Sequence, residues 1–224
     1  MKTWKNWISG LCLCAGLGVG VATLESCTAQ GQQGSGQAAD STVVEDKNVV
    51  VETIMARRSI RKYKDQPVER EKLEALLECG INAPSGMNQQ PWEVRVVDDA
   101  DYINGVTEIF KKVNPKAAEE EGFKNMFRNA PVVIFIGSPK DGSGQFDCGL
   151  LGENIVLAAQ SMGLGTCFLG GPVRFMLDNE EAKPYVDRLQ FSADYGLLYA
   201  IAVGYPDESP EAKPRDASKA KFVE

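Results

Sequence analysis

The sequence predicts one domain that mixes helices and strands around a substantial hydrophobic core. Of the 224 residues, 43% are hydrophobic and 25% are charged, which is ordinary for a globular protein and excludes wholesale disorder. Segments with helical periodicity alternate along the chain with apolar runs of strand length, and the chain contains no internal repeat. This alternation permits a doubly wound sheet, but the pattern alone does not determine the direction of any strand.

The first part of the domain is predicted to be mainly helical. Apolar side chains at helical spacing predict helices over residues 49–57, 69–82, 100–113 and 115–129. The last of these four is polar and is expected to face solvent. Pro67 and Pro84 bound the second helix, because proline is poorly accommodated inside a helix. A short extended piece at 60–63 and an alternating strand at 92–97 complete this part.

The second part of the domain carries two strands that are expected to be buried. Residues 131–137 and 197–204 are nearly continuous apolar runs, which is typical of strands covered on both faces. Between them the pattern predicts a glycine-rich loop, a long central helix, a short strand and a helical stretch broken at Pro184, over residues 138–146, 146–162, 165–169 and 173–190. The last twenty residues are polar and contain prolines, so they are expected to form an extended arm.

The N-terminus has the layout of a secretory signal. Two lysines precede an apolar, glycine-rich stretch over residues 8–24, and the sequence Leu-Glu-Ser-Cys follows at 24–27. This ending resembles a bacterial lipobox, although Glu25 matches it poorly. Residues 1–26 are therefore predicted to be a lipoprotein-type signal peptide, with Cys27 as the acylated residue. A plain signal peptide or a membrane anchor are the alternatives, but the stretch is short and glycine-rich for a spanning helix.

A flexible tether is predicted between this signal and the folded domain. Residues 27–47 are rich in Gln, Gly, Ser and Ala and contain almost no large apolar side chain. The folded domain is expected over 48–224. We therefore expect an exported protein, held at the periplasmic or cell-envelope face of a membrane by a lipid anchor on Cys27.

Composition excludes several classes of function. The chain contains no histidine, so it has no histidine general base, no histidine-dependent triad and no histidine-ligated metal site. The net charge of -7 makes nucleic acid an unsuitable partner, since phosphate binding needs a basic surface. Cys79, Cys148 and Cys167 show no CxxC spacing and are expected to be buried thiols rather than metal ligands.

Two basic motifs are candidates for binding an anion. Residues 57–61 read Arg-Arg-Ser-Ile-Arg, and their three guanidiniums and one hydroxyl can hold a phosphate or carboxylate. Lys213 and Arg215 lie two apart in the extended arm and therefore point the same way. A solvated charge run and a soluble tail are the simpler interpretations of these motifs taken singly.

Two loops are candidates for binding a flat ring. Residues 83–92 place a serine, a glycine and three side-chain amides between two prolines, where they can contact the edge of a heteroaromatic ring. Residues 163–171 carry four glycines, which let the backbone approach a planar ligand closely. This second loop leads from a helix into a strand, the reverse of the order in a dinucleotide fingerprint. Ordinary turns are the simpler interpretation of both.

Taken together, these four motifs resemble the nitroreductase family of FMN enzymes. Their order and spacing match the family over about residues 48–224, and Pro-Ser-x-x-Asn-x-Gln-Pro-Trp is the most specific of them. The resemblance implies an α+β fold with a mainly antiparallel central sheet flanked by helices, in place of a doubly wound sheet. It also implies an intertwined homodimer with two FMN sites at its interface.

The resemblance also assigns cofactor-binding positions. The first motif is expected to bind the phosphate, ribityl chain and pyrimidine edge of FMN, and the arm is expected to clamp the phosphate. The proline-bounded loop is expected to be contributed by the second subunit, and the glycine-rich strand end is expected to run past the isoalloxazine. The residues, in that order, are Arg57, Arg58, Ser59 and Arg61; Lys213 and Arg215; Pro84, Ser85, Gly86 and Asn88; and Cys167, Phe168, Leu169 and Gly170. Many relatives carry Glu at the position of Leu169, so only a backbone contact is expected there.

The activity implied by the resemblance is that of an FMN-dependent oxidoreductase. Hydride passes from a reductant, NAD(P)H in the family, through flavin N5 to nitro compounds, quinones or similar acceptors in a ping-pong sequence. No catalytic side chain is assigned, because the chemistry belongs to FMN. NAD(P)H is not expected to be available to an exported protein outside the cytoplasm. A flavin- or ligand-binding lipoprotein without nicotinamide-dependent turnover is therefore the alternative. A specialised relative that acts on one particular substrate is a third possibility. Residues 100–128 are expected to form a lid, and this lid would determine the specialisation.

Overall fold

The computed structural model describes residues 48–223. The predicted signal peptide, the tether and Cys27 lie outside these residues. Within 48–223, no helix combines the length and the apolar character needed to cross a membrane.

Four antiparallel strands form the central sheet. They are β1 (Glu93–Val97), β2 (Val132–Pro139), β3 (Gly165–Leu169) and β4 (Tyr195–Gly204). The strands lie in the order β1-β2-β4-β3, and each neighbouring pair is antiparallel. The antiparallel α+β fold is therefore confirmed, and the doubly wound arrangement is excluded for the described strands.

Helices flank the sheet, and most of them begin and end close to the predicted residues. They are α1 (Val49–Ala56), α2 (Arg70–Ile81), α3 (Ala100–Val113), α4 (Pro115–Ala118), α5 (Gln145–Ser161), α6 (Gly171–Asp178) and α7 (Lys183–Asp187). Short 3₁₀ turns occupy Gly86–Asn88 and Ala217–Lys219. The central helix and the break near Pro184 are confirmed.

Each face of the sheet carries its own hydrophobic core. Successive side chains of a strand point to opposite faces, so Ile134 and Ile136 of β2 pack with α2 and α5, whereas Val133 and Phe135 pack with α3 and α6. Phe135 is fully buried and meets the ring of Phe127 edge to face at 5.8 Å between centroids. Burial on both faces explains why β2 and β4 read as continuous apolar runs.

The predicted helix over 115–129 is wrong. Only Pro115–Ala118 is helical, and the chain then forms a loop that buries Met126 and Phe127 instead of facing solvent. Two asparagine side chains replace the helical hydrogen bonds: the Asn129 Oδ1 atom accepts from the backbone N–H of Lys124 at 2.8 Å, and that of Asn125 accepts from Phe127 at 2.9 Å. Such side-chain bonds compete with a helix, and apolar periodicity does not register them.

Candidate functional site

A cavity of about 830 Å³ opens beside the edge strand β3, on the face that carries α3 and α6. Its walls come from the extended segment after α1, from the loop between α4 and β2, and from the start of α6. Its lining includes Arg61, Lys124, Arg128, Phe110, Phe123 and Gly171.

The first basic motif lies against the edge of the sheet. Ser59 bridges in parallel to Thr166 of β3, and the Ile60 backbone N–H donates to the Thr166 carbonyl oxygen at 2.8 Å. The Arg61 backbone N–H donates to the carboxylate of Glu208, so the beginning of the C-terminal arm is held beside this motif. The extended piece predicted over residues 60–63 is thereby confirmed, and the arm and the motif form one surface.

The side chains of this motif point in different directions. The Arg57 Nε atom lies 3.6 Å from a carboxylate oxygen of Glu153 on α5. Arg58 folds back to donate to the carbonyl oxygen of Met55 at 2.6 Å, and its Nε atom is buried without a partner. The Arg61 guanidinium donates to the Ser59 carbonyl oxygen at 3.1 Å and lines the cavity. Of the motif's assigned residues, Arg61 alone lines it.

The glycine-rich strand end presents bare backbone next to the cavity. Leu169 is buried in the core, whereas Phe168 points to the opposite face, where its ring lies 5.5 Å from that of Tyr199. A Cβ atom built on Gly170 or Gly171 would have no other heavy atom within 4 Å. The absence of side chains there leaves the backbone open to a flat group.

The proline-bounded loop lies away from this cavity. The Gly86 backbone N–H donates to Asp147 near the start of α5 at 3.3 Å, and Ser85 Oγ accepts from the Gln90 backbone N–H at 3.0 Å. Met87 and Asn88 adopt left-handed backbone angles, with φ of 51° and 56°. No residue of Pro84–Asn88 lines the cavity of the same chain.

The arm residues of the predicted phosphate clamp are exposed. The Arg215 Nη1 atom contacts the carbonyl oxygen of Lys213 at 3.4 Å, and neither side chain lines the cavity. The structure of one chain therefore brings together Arg61 and the glycine backbone, but not the loop or the clamp.

Two basic residues of the cavity lie outside the positions assigned to the cofactor. Lys124 lies 3.1 Å from a carboxylate oxygen of Asp65, and Arg128 makes no ion pair within the described part of the chain. Their signal in the sequence is a pair of Lys-Asn and Arg-Asn dipeptides just before the buried strand β2. The interpretation of this stretch as a polar, solvent-facing helix hides that signal.

The electrostatics at this end of the cavity are set by burial and by two guanidiniums. Burial raises the pKa of Tyr63 far above its usual value, and its hydroxyl donates to the Ile60 carbonyl oxygen at 2.6 Å. Burial likewise raises the pKa of Cys167, while Arg61 and Arg128 act to lower both pKa values. Tyr63 and Cys167 therefore stay protonated at neutral pH, and the positive charge at this end of the cavity is that of Arg61 and Arg128.

These features fit a flat, anionic, heteroaromatic cofactor. The cavity is lined by both Arg61 and the backbone of Gly171. The Nε atom of Arg58, in the same motif but outside this cavity, is a buried donor that lacks an acceptor. The fold and the cavity thus define an α+β domain that binds a flavin-like group at the edge of an antiparallel sheet.

Comparison with known proteins identifies the family. The model of the Nitroreductase family matches residues 54–205, and the chain belongs to this family. A putative NADH dehydrogenase/NAD(P)H nitroreductase of Methanothermobacter thermautotrophicus is 30% identical over 167 residues, which are 72% of this chain and 79% of the relative. An NADPH-flavin oxidoreductase of Vibrio harveyi is 32% identical over 175 residues, covering 75% and 70% of the two chains.

Solved structures agree with this assignment. The chain resembles a nitroreductase with bound FMN from Bacteroides fragilis, with a TM-score of 0.70, 26% identity, and coverage of 80% of this chain and 100% of that one. A nitroreductase with bound FMN from Desulfitobacterium hafniense gives a TM-score of 0.68 at 27% identity, with the same coverage.

Proposed function

We propose that this protein is an FMN-dependent oxidoreductase that passes reducing equivalents from NAD(P)H to nitro compounds, quinones or similar acceptors. The observation that carries the proposal is the placement of Arg61 and the bare backbone of Gly171 at one cavity, with Gly170 preceding Gly171 in the chain. Relatives named as NAD(P)H nitroreductases and flavin oxidoreductases, and similar structures with bound FMN, support it.

Each part of the site has a task in this proposal. Arg61 stabilises negative charge at the pyrimidine edge, and Gly170 offers its backbone to the ring. Arg57, Arg58 and Ser59 hold the phosphate and ribityl chain, with Lys213 and Arg215 as the clamp. Bound FMN supplies the hydride-transfer chemistry. The overall reaction balances when NAD(P)H loses one hydride and a nitro group, with one added proton, becomes a nitroso group and releases water.

We also propose a homodimer. Helix α1 exposes an apolar side on which Val50, Ile54 and Met55 are 65%, 49% and 70% accessible. Met87 in the proline-bounded loop is 89% accessible. Such surfaces are expected to be covered by a partner. A second copy is the natural candidate, because the loop lies away from the cavity of its own chain and is assigned to the partner's site.

Export and lipid anchoring remain proposals from the sequence. They rest on the basic and apolar layout of residues 1–26 and on Cys27. Labelling of cells with a tagged fatty acid is expected to mark the wild-type protein and not a Cys27→Ser variant. Equal labelling of both forms would contradict the anchor.

The visible spectrum of protein lacking residues 1–26 tests the main proposal. Oxidised flavin bands near 370 and 450 nm, roughly, are expected, and anaerobic NADH or NADPH should bleach them. Bands that do not bleach would favour the flavin-binding lipoprotein without nicotinamide-dependent turnover, for which the export signal is the supporting observation. A colourless protein that takes up no FMN would overturn both.

A further inference from the structure

The loop between α4 and β2 holds Arg128 in an unusual backbone conformation at the cavity. Arg128 and Asn129 both have φ of 62°, a left-handed conformation that is uncommon for Arg and more readily adopted by Asn. Two consecutive residues of this kind persist only where the surrounding structure fixes them. Both residues lie on the wall of the cavity.

Asn129 fixes this loop from within. Its Oδ1 atom accepts from the backbone N–H groups of Lys124 and Asn125 at 2.8 and 2.9 Å, and its Nδ2 atom donates to the Gly122 carbonyl oxygen at 2.7 Å. The buried Asn125 side chain adds a bond from its Nδ2 atom to the Ala130 carbonyl oxygen at 3.2 Å. The loop is therefore a built turn, and Arg128 is presented from it.

The charge of Arg128 is left available to a ligand. Lys124, the other cation of this loop, has its Nζ atom 3.1 Å from a carboxylate oxygen of Asp65, whereas Arg128 has no ion-pair partner among residues 48–223. Arg61 is expected to bind FMN, whereas Arg128 is not among the residues assigned to the cofactor. Carboxylates also line the cavity, at Asp65, Glu120, Glu121 and Asp207, but none lies within ion-pair distance of Arg128.

An aromatic wall faces the same cavity. The rings of Phe110 and Phe123 are stacked, with centroids 6.1 Å apart and planes inclined by 21°. Phe175 of α6 supports Phe110 edge to face at 5.2 Å. Offset and edge-to-face contacts of this kind are favourable for a further aromatic ring.

We propose that Arg128 is a specificity-determining residue that selects aromatic electron acceptors carrying a carboxylate. The acceptor's ring packs on the wall formed by Phe110 and Phe123, and its carboxylate binds the Arg128 guanidinium, which suits planar anions. This inference rests on the proposed function of the site, but it concerns the choice of acceptor rather than the ability to transfer hydride.

Paired acceptors test the proposal. With FMN-loaded protein, 4-nitrobenzoate and its neutral methyl ester are compared by kcat/KM. Arg128→Gln is expected to lower the value for the acid roughly fivefold, the size of a partly exposed charge pair, and to leave the ester unchanged. Arg128→Lys should retain most of the preference. Lys183→Gln, which removes an equal charge away from the cavity, is the matched control and should change neither acceptor.

Asn129→Ala provides a second test, because it keeps the arginine and removes the bonds that present it. The preference for the acid should fall while reduction of the ester persists. Equal losses for acid and ester in Arg128→Gln would overturn the proposal. So would a changed ratio of NADPH to NADH use with an unchanged acceptor ratio, which would assign Arg128 to the donor's phosphate.

Equilibrium binding keeps the two proposals separable. If neither acceptor is reduced, the proposed function fails, and titration calorimetry of both compounds with the FMN-loaded protein still decides the inference. Tighter binding of the acid, lost in Arg128→Gln, supports it. Equal binding of the acid and the ester contradicts it.

Discussion

At the scale of single residues, Arg61 is where the first basic motif meets the cavity. Arg61→Gln removes a charge that is expected to bind the anionic edge of FMN, so the dissociation constant of FMN should rise roughly tenfold or more. Fluorescence titration of the released flavin measures this change. Lys183→Gln is the control, because it removes a charge on α7 that is paired with Glu180. This variant should bind FMN as tightly as the wild type.

The thiol of Cys148 is expected to affect the stability of the protein at alkaline pH. Burial raises the pKa of its thiol to about 11 from an ordinary value near 9, and the group has no exposed surface. A raised pKa in the folded state means that the stabilisation is fully present below pH 9 and is lost as the pH rises toward 11.

The free energy of unfolding should therefore fall less steeply between pH 9 and 11 in Cys148→Ala than in the wild type. Urea unfolding at several pH values gives the comparison, and the difference between the two proteins removes the shared contribution of the tyrosines. Parallel curves for the two proteins would show that the thiol does not ionise in this range.

At the scale of elements, α5 is tightly packed at one glycine and open at another. A Cβ atom on Gly152 would lie 2.9 Å from the Phe168 ring and would also meet the Tyr199 hydroxyl, whereas one on Gly149 would contact nothing within 4 Å. The two substitutions on the same helix therefore separate packing from helix propensity.

Gly152→Ala is expected to destabilise the protein by about 1–3 kcal/mol, because it overpacks the space between α5 and β3. Gly149→Ala should be neutral or stabilising by up to about 1 kcal/mol, because alanine favours the helix. Chemical denaturation measures both. Similar effects at the two positions would mean that Phe168 and Tyr199 move away at little cost.

At the scale of the whole molecule, the apolar side of α1 gives the homodimer a direct test. Ile54→Asp places a charge on that side and should convert the dimer to a monomer in light scattering after size-exclusion chromatography. Val113→Asp, at an exposed apolar position at the end of α3, serves as the control and should stay dimeric. A monomeric wild-type protein would contradict the prediction.

Loss of the dimer should also weaken FMN binding, since the loop Pro84–Asn88 is assigned to the partner's site. A monomeric Ile54→Asp protein that binds FMN as tightly as the wild type would show that the loop contributes nothing to the cofactor.

Most elements follow from local pattern, since helical and strand periodicity reflect burial on one or two faces. Strand β3 and helix α3 begin and end at the predicted residues for this reason. The loop after α4 does not, because Asn125 and Asn129 bond to nearby backbone groups and cancel a helical pattern.

The assigned site residues were predictable as motifs but not as a geometry. The family resemblance names Arg57, Arg58 and Arg61 together, yet only Arg61 reaches the cavity, and each guanidinium has a different neighbour. Directions of side chains depend on packing with α5 and β3, which short sequence spacing does not contain.

The sequence was sufficient for the family, the order of the elements and the basic motifs, because these depend on residue type and short spacing. The register of the strands and the cavity beside β3 come from contacts between residues far apart in the chain, and the presentation of Arg128 comes from side-chain bonds within its own loop. Such contacts leave no periodic trace, so they became visible only once the chain was folded.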